Sequence, residues 1–133
     1  MPLIVDANVT VAWFVRNQAT GYTDRIRRQV RGERIHVPVV WPLEFANALW
    51  QLQRRKLLSE TQINTIVDLA DLLDLVVHRE TPPPRRLLLV AREHDLTTYD
   101  ASYLDLALTL RYPVACRDGP LKKALRSAGI KLA

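Results

Sequence analysis

Short apolar runs alternate along this chain with longer stretches of helical periodicity. Leu3-Ile4-Val5, Ile35-His36-Val37, Leu75-Val76-Val77 and Pro113-Val114-Ala115-Cys116 have the length and β-branched content of buried strands. A first helix is predicted from near Asn8, carrying Val11, Ala12, Phe14 and Val15, and a second from Gly21 to Gly32. Val39-Val40-Trp41-Pro42 opens a long helix with Leu43, Ala46, Leu49, Trp50 and Leu57 expected on its apolar side. Ser59-Glu60-Thr61-Gln62 reads as a cap for a helix reaching about Leu73. Further helices are expected from Pro84 to His94, from Thr97-Thr98-Tyr99-Asp100 to near Arg111, and from Leu121 to Ser127. Gly129 ends the last, and Ile130-Lys131-Leu132 is a candidate edge strand. Strands alternating with helices in this way predict an α/β fold whose mostly parallel sheet is covered on both faces.

The chain has 133 residues, no internal repeat, and one compositional break, Thr81-Pro82-Pro83-Pro84, which reads as a stiff corner. Residues 1–133 are therefore expected to form a single domain. A hydrophobic share of 48% with 25% charged residues is that of a soluble globular protein. No apolar run approaches the roughly 18 residues needed to span a bilayer. The first six residues, ending at Asp6, lack the basic start of a signal peptide. One cysteine excludes an internal disulfide, so a cytoplasmic location is expected. The net charge of +5 is concentrated in patches, among them Arg25 to Arg34, Arg54-Arg55-Lys56 and Lys122-Lys123. Such a balance favours a polyanionic partner, although each patch also fits a solvated helix face.

Four acids occupy chemically suggestive places. Asp6 directly follows a buried strand, where parallel sheets open onto their ligand crevice. It could equally cap the next helix. Glu44 lies in the first turn after Pro42, favoured there by the helix dipole, but between apolar Trp41, Leu43 and Phe45. Asp100 closes a Thr97-x-x-Asp100 capping box, and Asp118 is a good cap for the last helix. Asp105 is about 140° round the helix from Asp100 and is expected at the rim or in solvent.

Doubly wound topology would bring the four acids to one edge of the sheet. Crowded carboxylates repel unless a cation neutralises them, and hard oxygen donors suit Mg²⁺ or Mn²⁺ rather than Zn²⁺. His36, His78 and His94 show no zinc-ligand spacing and are expected to be ordinary surface or strand-end residues. Beside the acids, Arg117, Lys122 and Lys123 are candidates for holding phosphate. A carboxylate-bound metal next to such cations suits phosphodiester hydrolysis.

Ile4-Val5-Asp6-Ala7-Asn8, Pro42-Leu43-Glu44-Phe45-Ala46-Asn47, Thr98-Tyr99-Asp100-Ala101-Ser102-Tyr103 and Cys116-Arg117-Asp118-Gly119-Pro120-Leu121 occur in this order and spacing over almost the whole chain. Together they resemble the PIN domain, and within it the VapC-like toxins of toxin–antitoxin pairs. The resemblance implies a three-layer α/β/α sandwich, with Asp6, Glu44, Asp100 and Asp118 binding one or two Mg²⁺ or Mn²⁺ ions. It further implies endonucleolytic cleavage of RNA to 5′-phosphate and 3′-hydroxyl ends, a cognate VapB-like antitoxin in the active-site groove, and a homodimer. Asn8 matches the small polar residue that supports the first acid. Cys116 stands where the family often has Thr or Ser; a thiol is a weaker hydrogen-bonding group, which bears on the support of Asp118. As a buried small hydrophobe, Cys116 would simply end a strand.

Trp13, Trp50 and Tyr22 are candidates for partner contacts, core packing being the favoured reading for Trp50. Two other functions are compatible with parts of the sequence. Asp6-x-Asn8-x-Thr10 echoes the opening of haloacid-dehalogenase phosphatases, with Asp6 as nucleophile, but the second acid of that motif is absent. A non-catalytic binding module of the same fold is the alternative from another class.

Overall fold

The computed structural model describes residues 1–133. In chain order the elements are β1 (Leu3–Val5), α1 (Ala7–Ala12), a 3₁₀ turn (Arg16–Gln18), α2 (Gly21–Gln29), β2 (Ile35–Pro38), α3 (Trp41–Arg54), α4 (Glu60–Ala70), β3 (Leu75–His78), α5 (Pro84–His94), α6 (Thr98–Leu110), β4 (Val114–Ala115) and α7 (Gly119–Ser127). The four strands form one sheet in the order β3-β2-β1-β4, and every pairing is parallel.

Parallel pairing requires helical crossovers, and these cover both faces of the sheet. The alternation of side chains along the strands divides the core accordingly. Leu3, Val5, Ile35, Val37 and Ala115 join Trp41, Phe45, Leu49 and Ile66 on one face. Ile4, Val114 and Cys116 join Tyr103, Leu104, Leu121 and Leu125 on the other. The result is the expected three-layer α/β/α sandwich. β1 lies centrally, with β2 on one side and β4 on the other, so the chain reverses its direction of travel across the sheet at the β1/β4 boundary. Crevices form beyond the carboxyl ends of strands at such a point, and Asp6 and Asp118 follow these two strands.

Local signals set several boundaries. Thr20 and Thr23 form a reciprocal capping box at α2, as do Ser59 and Gln62 at α4. Pro42 sits at the start of α3, where its missing N–H costs nothing. α5 spans the predicted Pro84–His94.

Other expectations need correction. α1 stops at Ala12, and Phe14 and Val15 lie beyond it. Trp13 is buried and its indole N–H donates to the Thr23 carbonyl at 2.9 Å, which turns the chain toward α2. On α3 the buried side is Trp41, Phe45, Leu49 and Leu52. Of the five residues expected there only Leu49 is buried: Leu43 is 71% and Trp50 52% exposed, and Ala46 and Leu57 are also exposed. Trp50 is thus a surface residue and Trp13 a core one. The C-terminal edge strand reduces to one bridge between Val114 and Leu132.

His36 and His78 are more than strand-end residues. The β2–β3 register places His78 opposite Pro38, diagonal to His36, and the two rings stack with Nδ1 of His36 and Nε2 of His78 at 2.9 Å. No helix is long and apolar enough to cross a membrane.

Candidate active site

Asp6, Glu44, Asp100 and Asp118, drawn from four separate segments, line one cavity of about 320 Å³ together with Asn8, Tyr103 and Arg117. It lies at the carboxyl ends of β1 and β4. Asp105 is outside it, paired with Arg86 at 2.9 Å beside a different hollow, as its angular position on α6 predicts. Lys122 and Lys123 do not line the cavity. Lys122 lies 5.7 Å over the Tyr22 ring, and Lys123 borders a hollow next to Glu93 and Asp95.

The capping and site readings of these acids turn out to be compatible. Asp6 caps α1, its Oδ1 accepting from the Val9 N–H at 3.0 Å, and it remains only 8% exposed. Asp118 caps α7 by accepting from the Leu121 N–H at 2.8 Å. Asp100 is itself capped: its backbone N–H donates to Thr97 Oγ1 at 3.1 Å. In each case one local bond fixes the backbone and leaves carboxylate oxygen facing the cavity.

Glu44 is placed by longer-range contacts. The Tyr103 hydroxyl donates to Glu44 Oε1 at 2.8 Å and accepts from the Ala7 N–H at 3.2 Å. The Trp41 indole N–H, one turn before Glu44, donates to Thr10 Oγ1 at 3.0 Å, and that hydroxyl donates to the Ala7 carbonyl at 2.8 Å. Both sides of Ala7 are therefore tied to the start of α3. Tyr103 was not singled out by sequence reasoning. Its spacing of three from Asp100, which places both on one side of α6, was the available signal.

Asn8 does not support Asp6. It is exposed, and its Oδ1 accepts from Arg117 Nε at 2.6 Å. A second guanidinium nitrogen of Arg117 donates to the Gln18 carbonyl at 3.0 Å. Cys116 is buried behind the acids and makes no hydrogen bond to Asp118, whose carboxylate is held by Leu121 instead.

The electrostatics are those of crowded acids short of positive charge. Burial, reinforced by Glu44 and Asp100, raises the Asp6 carboxyl to about 7, against the lowering effects of the Val9 N–H and Arg117. Burial also raises Glu44, with the Tyr103 bond opposing and the Asp100 charge adding. Asp100 is raised by burial and then by Asp118. Burial and the Asp6 charge push the Cys116 thiol up to about 12, so it stays neutral.

This donor set fits a hard divalent cation: four carboxylates, no sulfur or imidazole, and excess negative charge. As the side chains stand, no three acids are gathered closely enough to hold one ion. Binding would require carboxylate rotation or bridging waters, and Mg²⁺ commonly keeps several waters.

Known proteins resemble this chain in sequence and in fold. The chain is 31% identical over 109 residues to Ribonuclease VapC3 of Pyrobaculum aerophilum, covering 80% of this chain and 82% of that protein. Its fold is similar to the crystal structure of PAE2754 from the same organism, with a TM-score of 0.65 and 26% identity over 93% of this chain and 87% of that one. The PIN domain model matches residues 3–124, a span that holds all four acids and Tyr103. The chain belongs to the PIN-domain family, among its VapC-like members.

Proposed function

We propose that this protein is a Mg²⁺- or Mn²⁺-dependent endoribonuclease, the toxin of a VapBC-type toxin–antitoxin pair. On this reading residues 1–133 are a single nuclease domain acting in the cytoplasm, as a homodimer with a VapB-like antitoxin partner. The observation that carries the proposal is the convergence of Asp6, Glu44, Asp100 and Asp118 on one cavity beside a fixed arginine. The similarity to a named ribonuclease supports the choice of RNA.

The four acids would hold the divalent ion, with Asp6 deepest and Asp118 at the exposed mouth. Bound there, the ion would make a water acidic enough to attack at neutral pH and offset charge on the leaving oxygen. Tyr103 donates to Glu44 Oε1, so the carboxylate is held with Oε2 still free to serve the site. Arg117 is anchored before substrate arrives, so its charge can meet a phosphate oxygen with little ordering cost. Lys122 and Lys123, outside the cavity, would contact phosphates further along the strand and so contribute affinity rather than base choice.

The phosphatase reading has no observation in its favour: Asn8 faces Arg117, and Glu44 would have no role. The deciding experiment incubates a mixed RNA pool with wild type, Asp6→Asn and Asp100→Asn, in Mg²⁺, Mn²⁺ or EDTA. Metal-dependent cleavage by wild type alone is expected. Equal cleavage by all three would overturn the carboxylate mechanism. Metal binding without cleavage by folded wild type would favour a non-catalytic binding module.

A further inference from the structure

Glu44 occupies an awkward place. It lies in the first turn of α3, beside Leu43 at 71% exposure, with open solvent within reach of its flexible side chain. Nothing on α3 itself holds its carboxylate toward the acids, which repel it. The one hydrogen bond to that carboxylate comes from Tyr103, fifty-nine residues away on α6 and 1% exposed.

We infer that Tyr103 is a positioning residue of this site: its hydroxyl fixes the Glu44 carboxylate at a set place relative to the Asp6–Ala7 turn. The geometry is a closed ring. Tyr103 joins Glu44 to the Ala7 N–H, Thr10 joins the Ala7 carbonyl to Trp41, and one turn of α3 returns from Trp41 to Glu44. Asp6 directly precedes Ala7, so the ring couples the position of the deepest acid to that of Glu44. Phenylalanine would fill the same apolar space among Leu104, Ala107 and Ile4, so packing does not call for the hydroxyl. Its single proton is directed at Glu44, and its lone pair takes a first-turn N–H that helix α1 leaves without a partner. Groups that orient metal-binding side chains in this way typically alter metal affinity or activity 10–100-fold when removed.

The inference rests on the metal-site reading of the acids, and the test separates the two. Mn²⁺ binding to the full chain without RNA is measured by electron paramagnetic resonance for wild type, Tyr103→Phe, Glu44→Ala and the double variant. Tyr103→Phe is expected to weaken Mn²⁺ about tenfold while melting cooperatively. In the Glu44→Ala background its further effect should be much smaller, because Tyr103 acts chiefly through Glu44. A crystal structure of Tyr103→Phe should show the Glu44 carboxylate turned out of the cavity.

Glu44 unmoved in that crystal structure overturns the inference, as does equal weakening in the Glu44→Ala background. Absence of saturable Mn²⁺ binding by wild type sinks the metal reading instead. The crystal structure then still decides whether Tyr103 positions Glu44.

Discussion

Arg117 reaches back 109 residues to donate to Asn8 Oδ1 at 2.6 Å, a charge-assisted hydrogen bond at the edge of the acidic cavity. Asn8 thereby serves the cation at the site rather than the neighbouring acid. The guanidinium spans two acceptors, Asn8 and the Gln18 carbonyl, which one ammonium could not reproduce in the same geometry.

Removing one anchor should loosen the arginine without removing its charge. Asn8→Ala is expected to raise KM for an RNA oligonucleotide several-fold with a smaller change in kcat. Arg117→Lys should be worse on both, since it loses the fork. Steady-state kinetics on one defined substrate checks this, and a wild-type KM for Asn8→Ala would show that the anchor is dispensable.

The raised carboxyl of Asp6 links metal, pH and stability. Its folded value of about 7 exceeds its ordinary 3.8, so the folded state binds the proton more tightly than the unfolded chain. Stability from this group is complete below about pH 4 and is lost as pH rises toward 7. Glu44 and Asp100, also raised, act in the same direction. The metal-free melting temperature should therefore contain a component that falls from pH 5 to pH 8. Millimolar Mg²⁺ or Mn²⁺ should restore stability most at the upper end, where the acids are ionised. Scanning fluorimetry across pH with EDTA or metal measures this; a metal effect larger at pH 5 than at pH 8 would contradict it.

Burial and anionic neighbours make Cys116 unreactive. With its thiol pushed up to about 12, the thiol form dominates across the neutral range. Iodoacetamide should label the native protein far more slowly than the urea-unfolded chain, as mass spectrometry would show. Because Leu121, not Cys116, holds the Asp118 carboxylate, Cys116→Ser should retain cleavage within a few-fold. Rapid native labelling would mean the strand end opens readily.

The two sides of α3 should differ sharply in energy. Leu49 is buried in the core between sheet and helix, so Leu49→Ala should cost about 2–5 kcal/mol. Trp50 is half exposed, and Trp50→Ala should shift the isolated chain's stability by less than about 1 kcal/mol. Urea unfolding of both variants provides the comparison. A large loss for Trp50→Ala would place that face in an interface.

The same helix shows where sequence information ends. α3 carries two apolar stripes, Trp41, Phe45, Leu49 and Leu52 on one side and Leu43 and Trp50 on the other, so helical periodicity admits two buried sides. Only docking on the sheet selects Trp41, Phe45, Leu49 and Leu52. Signals carried within a few residues were legible from sequence: the apolar strands, the Ser59–Gln62 box, the proline-started helices, and acids following strands or opening helices. Their physics is local, a capping bond or a side-chain period, and needs no partner elsewhere in the chain. The parallel order β3-β2-β1-β4 then brings the four acids together, because it sets the ends of β1 and β4 side by side. Which groups hold Glu44 and Arg117 depended on contacts across 59 residues to Tyr103 and 109 to Asn8. A hydroxyl or an amide acquires such a role only from the distances that folding creates, which local sequence does not encode.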